Sequence, residues 1–166
     1  WTACPAGYYC SGGAQTVCTG NTYSTGTAGS CTSCTSGYTI SGTAYTDHDE
    51  KSDCKKTITL NKHSGSGTVQ GTSGTTSASI TCSEGVSCNF GSASGLTQTG
   101  YTFTGGWGTS AGCTSTTTSF TTPTNTPYYA CKTANTYTVS FNVNGANSGS
   151  PSKSSVTCTY GQNCPA

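Results

Sequence analysis

A chain of 166 residues has room for one or two small domains, yet only about 9% of it is Leu, Ile, Val or Phe, too little for a deep apolar core. The formal charge of +1 excludes a highly charged disordered tail, and six Lys without one Arg exclude a basic stripe for nucleic acid. No apolar run approaches the roughly 20 residues of a membrane span, and with no Met and no signal peptide the chain reads as a mature product or a window of a longer one.

Twelve Cys offset the thin core. Disulfides restrict the unfolded chain and persist only in oxidising compartments, so the expected location is extracellular, secreted or at a cell surface. Ser and Thr make up over a third of the residues and keep an almost uncharged surface wet. No N-x-Ser/Thr sequon occurs, so any glycan is expected to be O-linked.

Residues 1–54 carry Cys4, Cys10, Cys18, Cys31, Cys34 and Cys54 among Gly, Ser and Thr, with little apolar periodicity. They read as a loop-dominated, disulfide-rich module. Cys31-x-x-Cys34 with His48 and Cys54 has the ligand types of a zinc site, but in a secreted chain such cysteines pair with one another. Asp47, Asp49, Glu50 and Asp53 hold four of the five acidic residues and are weak calcium candidates. The EF-hand pattern fails there, and a solvated charged turn is the plainer reading. No metal or other cofactor is expected.

From residue 55 onward strand signals dominate. Ile58 and Leu60 alternate with polar residues, as do Tyr137, Val139, Phe141 and Val143. Tyr101, Phe103, Phe120 and Tyr128 mark further short strands. Together with Trp107 and Phe141, these aromatics are expected in the core. Ser64–Ser79 reads as a long mobile loop or glycan stem, and one short helix is allowed near Ser92–Leu96. The expectation is an all-β protein with little helix.

Internal repetition is visible in this part. Thr81-Cys82-Ser83-Glu84-Gly85-Val86-Ser87-Cys88 recurs as Thr157-Cys158-Thr159-Tyr160-Gly161-Gln162-Asn163-Cys164, both of the form T-C-x-x-G-x-x-C. Cys54-Lys55 recurs as Cys131-Lys132, and Ile58, Leu60 and Asn61 match Val139, Phe141 and Asn142. Residues 55–131 thus form one copy, and 132–166 the first part of a second. The repetition makes Cys82–Cys88 and Cys158–Cys164 short loops and leaves Cys113 to pair with Cys131. In 1–54, pairing neighbours gives Cys4–Cys10, Cys18–Cys31 and Cys34–Cys54; the nested pairing of EGF-like modules is the open alternative.

Gly108-Thr109-Ser110-Ala111-Gly112 has the form of a G-x-S-x-G nucleophile elbow. His48 and His63 both precede it, and no acid follows it, so no triad can be assembled and no enzyme is expected.

Gly100-Tyr101-Thr102-Phe103-Thr104-Gly105-Gly106-Trp107, then Phe120 and Tyr128-Tyr129-Ala130, resembles the internalin-type B repeat of bacterial surface proteins. An extra Gly before Trp107, and Cys131 near the place of a terminal Trp, depart from that pattern. The resemblance implies small β-grasp-like repeats in tandem. Cys4-Pro5-Ala6-Gly7-Tyr8-Tyr9-Cys10, with Cys31-x-x-Cys34 and Gly37-Tyr38, resembles the ephrin-receptor-like cysteine-rich repeat. On the first likeness Trp1 stands where a preceding B repeat closes. Both imply an extracellular spacer or adhesin without an active site. The expected function is a structural building block of a fibre, stalk or surface layer, its partners copies of itself or neighbouring repeats, with strand addition to 132–166. The alternative is an adhesin module that holds a host protein or glycan.

Overall fold

The computed structural model describes residues 3–71, 73, 76–124, 126–145 and 152–165. Trp1 lies outside them. The N-terminal part contains two small antiparallel ladders: β1 (Tyr8–Ser11) with β2 (Ala14–Val17), and β3 (Thr22–Tyr23) with β4 (Thr32–Ser33). No residue of either ladder is fully buried. Cys18, Tyr38, Cys54 and His48 are buried instead, and the disulfides Cys4–Cys10, Cys18–Cys31 and Cys34–Cys54 join neighbouring segments. The pairing is the sequential one. Two single 3-10 turns, Tyr45–Asp47 and Lys51–Asp53, lead out of this part.

The next part is built on β5 (Lys55–Asn61), β6 (Ser77–Ser83), β7 (Ser87–Asn89), β8 (Tyr101–Gly108), β9 (Ser119–Thr121) and β10 (Tyr128–Ala134). One sheet has the order β6-β5-β10-β8, with β5 and β10 parallel and the outer pairs antiparallel. First and last strands lie side by side in the centre, which is the strand order of a β-grasp. A second ladder pairs β7 with β9.

Ile58, Leu60, Ala78, Phe103, Trp107 and Ala130 of the sheet pack with Val69, Phe90, Ala93 and Leu96 from the connections. Phe90, Phe120 and Tyr128 form an aromatic trio with ring centroids 4.7–4.9 Å apart, within the range of favourable edge and offset contacts. Trp107 donates its indole N–H to the Gly91 carbonyl at 2.8 Å, so its polar atom is paired inside the core. A β-bulge between Ala130 and Lys132 lets consecutive residues Ala130 and Cys131 both be buried. Cys131 thereby reaches Cys113, and Cys82–Cys88 closes the β6–β7 turn.

β11 (Thr136–Ser140) and β12 (Ser155–Thr159) form a separate antiparallel hairpin, and Cys158–Cys164 closes the loop that follows β12. Its register copies that of β5 and β6. Lys56 faces Cys82 and Ile58 faces Ile80; Tyr137 faces Cys158 and Val139 faces Val156.

Four expectations are corrected. Phe141 is not core but 47% exposed, because no second layer lies over the terminal hairpin among the described residues. Tyr101 is only half-buried, since it sits at the end of β8 against Tyr160 rather than under the sheet. Thr72, Gly74 and Thr75 lie outside the described residues, and the described part of Ser64–Ser79 is no free stem: Val69 is buried in the core and Ser66 bridges Thr97. The short helix near Ser92–Leu96 is a turn, with Leu96 N–H donating to Ala93 O at 3.1 Å. In addition, β10 runs on to Ala134, pairing Lys132, Thr133 and Ala134 with β8, so the two sheets meet at Asn135 and not between residues 131 and 132. The hairpin registers therefore align Cys54 with Asn135 rather than with Cys131.

Candidate functional site

The chemistries that the sequence raised are dispersed by the fold. Ser110 lies in a turn after β8, where Cys113 N–H donates to its carbonyl, and no helix follows. His48 and His63 are engaged elsewhere: a ring nitrogen of His48 lies 2.7 Å from Thr22 O, and one of His63 lies 2.9 Å from Ala130 O. The cysteines of the zinc pattern are split between Cys18–Cys31 and Cys34–Cys54, and disulfide sulfurs are not thiolate ligands.

The acidic run serves its own backbone. Asp47 accepts from Ala44 N–H and Asp53 from Glu50 N–H, each at 2.8 Å, which closes the two 3-10 turns. Ser52 donates to Glu50 at 2.8 Å. Burial pushes the Asp49 carboxyl up, and the neighbouring Asp53 and Glu50 push it further. Among the described residues, the convergent donor set is Cys34, Cys54 and Glu84, and two of its three atoms are tied in a disulfide. These residues do not fit a metal.

What the fold brings together instead are two joints and, on β11, an open edge that carries an apolar stripe. At the first joint, Glu84 is buried between β6 and the N-terminal part. It accepts from Thr35 N–H at 2.8 Å and from Thr35 Oγ1 at 2.7 Å, and pairs with Lys51 at 3.3 Å. Burial pushes its carboxyl up, but the Thr35 hydrogen bonds and the Lys51 ammonium outweigh this and hold it below its ordinary value. Tyr38 donates to Pro123 O at 2.9 Å, and burial, with Glu84 nearby, pushes its phenol up to about 12.

At the second joint β10 passes into β11 through Asn135 alone. Asn135 N–H donates to Gly100 O at 2.8 Å and Tyr160 N–H to Asn135 O at 2.9 Å. The Tyr160 ring stands edge-on to Tyr101, 5.4 Å between centroids, and occupies the space where a Cβ on Gly100 would lie. Lys132 sits 4.1 Å over the Tyr101 ring and donates to Gln98 at 2.7 Å; burial holds its ammonium below the usual range. An open groove of about 810 Å³ runs along this joint, lined by Ser64, Ser66, Thr97, Gln98, Tyr101 and Tyr160 among others.

The open edge belongs to β11. In the first sheet, β5 lies between β6 and β10, and Ile58 and Leu60 are 0% exposed. In the terminal hairpin the matching strand has β12 on one side and no further strand among the described residues. Val139 and Phe141, the counterparts of Ile58 and Leu60, are 43% and 47% exposed, and Tyr137 and Val143 extend the apolar stripe.

Sequence reasoning passed over Glu84 and Tyr160. A signal was present: Glu84 is the one acid outside the Asp47–Asp53 run, and it holds the same place in T-C-x-x-G-x-x-C as Tyr160. Comparison with family models, curated proteins and solved structures returned no match to this chain. The six disulfides fit a secreted or extracellular protein, and no helix among the described residues is long and apolar enough to cross a membrane.

Proposed function

We propose that this chain is a structural building block of an extracellular fibre, stalk or surface layer, not an enzyme, and that a strand from another copy or a neighbouring repeat completes the hairpin β11–β12. The observation that carries this reading is the bare edge and apolar stripe of β11, set against the same register in β5, where β10 pairs with the edge and the connections bearing Val69, Phe90 and Leu96 cover the face. Strand addition supplies the backbone partners along the edge, and the connections that come with the added unit supply the apolar cover. β10 defines the chemistry required: a parallel strand with large rings followed by a small residue, as in Tyr128-Tyr129-Ala130. Disulfides near each joint and a hydroxyl-rich, weakly charged surface suit a durable extracellular material, with O-linked sugars as its expected decoration.

The test is electron microscopy of the native material in non-reducing buffer, with sedimentation of the purified chain alongside. Regular strings that disperse when Val139 and Phe141 are both changed to Lys support the reading. A monodisperse monomer at all concentrations sinks it. The groove at the second joint favours an adhesin as the second reading, because hydroxyls, an amide and two Tyr rings suit a glycan. Saturable glycan binding abolished by Gln98→Ala supports that alternative, and silence across a broad glycan panel retires it.

A further inference from the structure

The two joints are chemically unlike, yet they are made by the same position of the same turn. Glu84 and Tyr160 each lie two residues after the first Cys of T-C-x-x-G-x-x-C. Each donates its N–H to the carbonyl of the residue just before the hairpin's first strand, Glu84 to Cys54 O at 2.8 Å and Tyr160 to Asn135 O at 2.9 Å. The turns that follow correspond too: Val86 N–H donates to Ser83 O and Gln162 N–H to Thr159 O. Even the next residue matches. A Cβ on Gly85 would meet Lys51, and one on Gly161 would lie 4.0 Å from the Tyr101 hydroxyl, both on the preceding part of the chain.

The backbone of the joint is thus constant and its side chain is variable. Where the preceding part offers an N–H, a hydroxyl and an ammonium, from Thr35 and Lys51, the position holds a carboxylate. Where it offers a glycine notch beside a ring, at Gly100 and Tyr101, the position holds a ring. We propose that this position is the specificity-determining residue for which module stands in front of a repeat. Glu84 requires a donor-bearing cysteine module, and Tyr160 requires the end of a β unit. The exchanged residues mismatch: a Tyr at position 84 leaves the Thr35 donors without a carboxylate, and a Glu at 160 sets a charge against the Tyr101 ring. The inference holds whether or not the chain assembles into a fibre.

Two amides report on the joints separately. Thr35 N–H donates to Glu84 Oε2, and Asn135 N–H donates to Gly100 O. Hydrogen exchange is followed at both in the full oxidised chain. Glu84→Ala is expected to speed exchange at Thr35 by about 10-fold or more and leave Asn135 unchanged; Tyr160→Ala is expected to do the reverse. Tyr160→Phe keeps the ring and retains protection. The crossed variants Glu84→Tyr and Tyr160→Glu are expected to lose protection as fully as the alanines, each at its own joint. Retained protection in either crossed variant overturns the selectivity, and retained protection in an alanine variant overturns the docking role. Glu84→Gln, which still accepts a hydrogen bond from Thr35, guards against misfolding: exchange at Thr35 lies between wild type and alanine. Simultaneous loss at both amides in Glu84→Gln or Tyr160→Ala overturns the idea of two separate joints.

Discussion

Leu60 and Phe141 occupy one position of two hairpins with the same register, and they differ in what lies over them. Leu60 is fully buried between sheet and connections, whereas Phe141 is 47% exposed. Replacing a fully buried Leu by Ala removes transfer free energy and leaves a cavity, at a cost of roughly 2–5 kcal/mol. In a domain of this size that lowers Tm by on the order of 10–30 °C. For Phe141→Ala the ring already meets water on nearly half of its surface and leaves no closed cavity, so the expected cost is about 1 kcal/mol or less. Urea and thermal unfolding of the dilute, oxidised chain, followed by Trp107 fluorescence and circular dichroism, measure both. If Phe141→Ala costs as much as Leu60→Ala in the dilute monomer, the terminal hairpin is covered there and the reasoning fails. In assembled material the Phe141 cost is expected to rise toward that of Leu60.

Three further outcomes are expected. Under graded reductant, limited proteolysis is expected to cut residues 4–54 before 55–134, because the first part has disulfides in place of an apolar core; simultaneous loss refutes this. Burial pushes the His63 pKa down, with Lys132 adding to the effect against an opposing hydrogen bond to Ala130 O. The folded state therefore binds the proton less readily than the unfolded chain, so stability is full above His63's ordinary value of 6.5 and declines as pH falls below it. A His63→Gln variant should show a flatter Tm-versus-pH curve in that window, and an unchanged slope assigns the effect elsewhere. Gly100 has φ of +79° and no room for a Cβ beside Tyr160, so Gly100→Ala should destabilise the second joint by about 1 kcal/mol or more. Proteolysis after Ala134 reports it, and combining the change with Tyr160→Ala should recover the steric share of the cost but not the φ share.

The parts of this architecture that alternate or repeat are readable in one dimension. Ile58 and Leu60 alternate with polar neighbours, and the two T-C-x-x-G-x-x-C turns announce their own short loops. What the sequence conceals has no period. Val69, Ala93 and Leu96 enter the core from Gly- and Ser-rich connections, where no alternation marks them. Phe141 departs from the expected core for the opposite reason: alternation records that one face of a strand is apolar, not that a second layer covers it. The zinc and calcium patterns were compositional, and disulfide pairing and turn closure used up those groups. The joints were concealed because Glu84 and Tyr160 share a position and no chemistry.

The parallel contact of β5 with β10 has a mechanical consequence. β5 leads in from the cysteine-rich part and β10 leads out to the terminal hairpin, and they meet where Leu60 and Asn61 lie beside Tyr128 and Tyr129. A pull along the chain draws these neighbours past each other, so their hydrogen bonds bear the load together rather than opening one at a time. Cys34–Cys54 just upstream and Cys113–Cys131 just downstream put covalent links beside that contact. Tension thus meets its resistance in the middle of the unit, and the weakly held ends yield first.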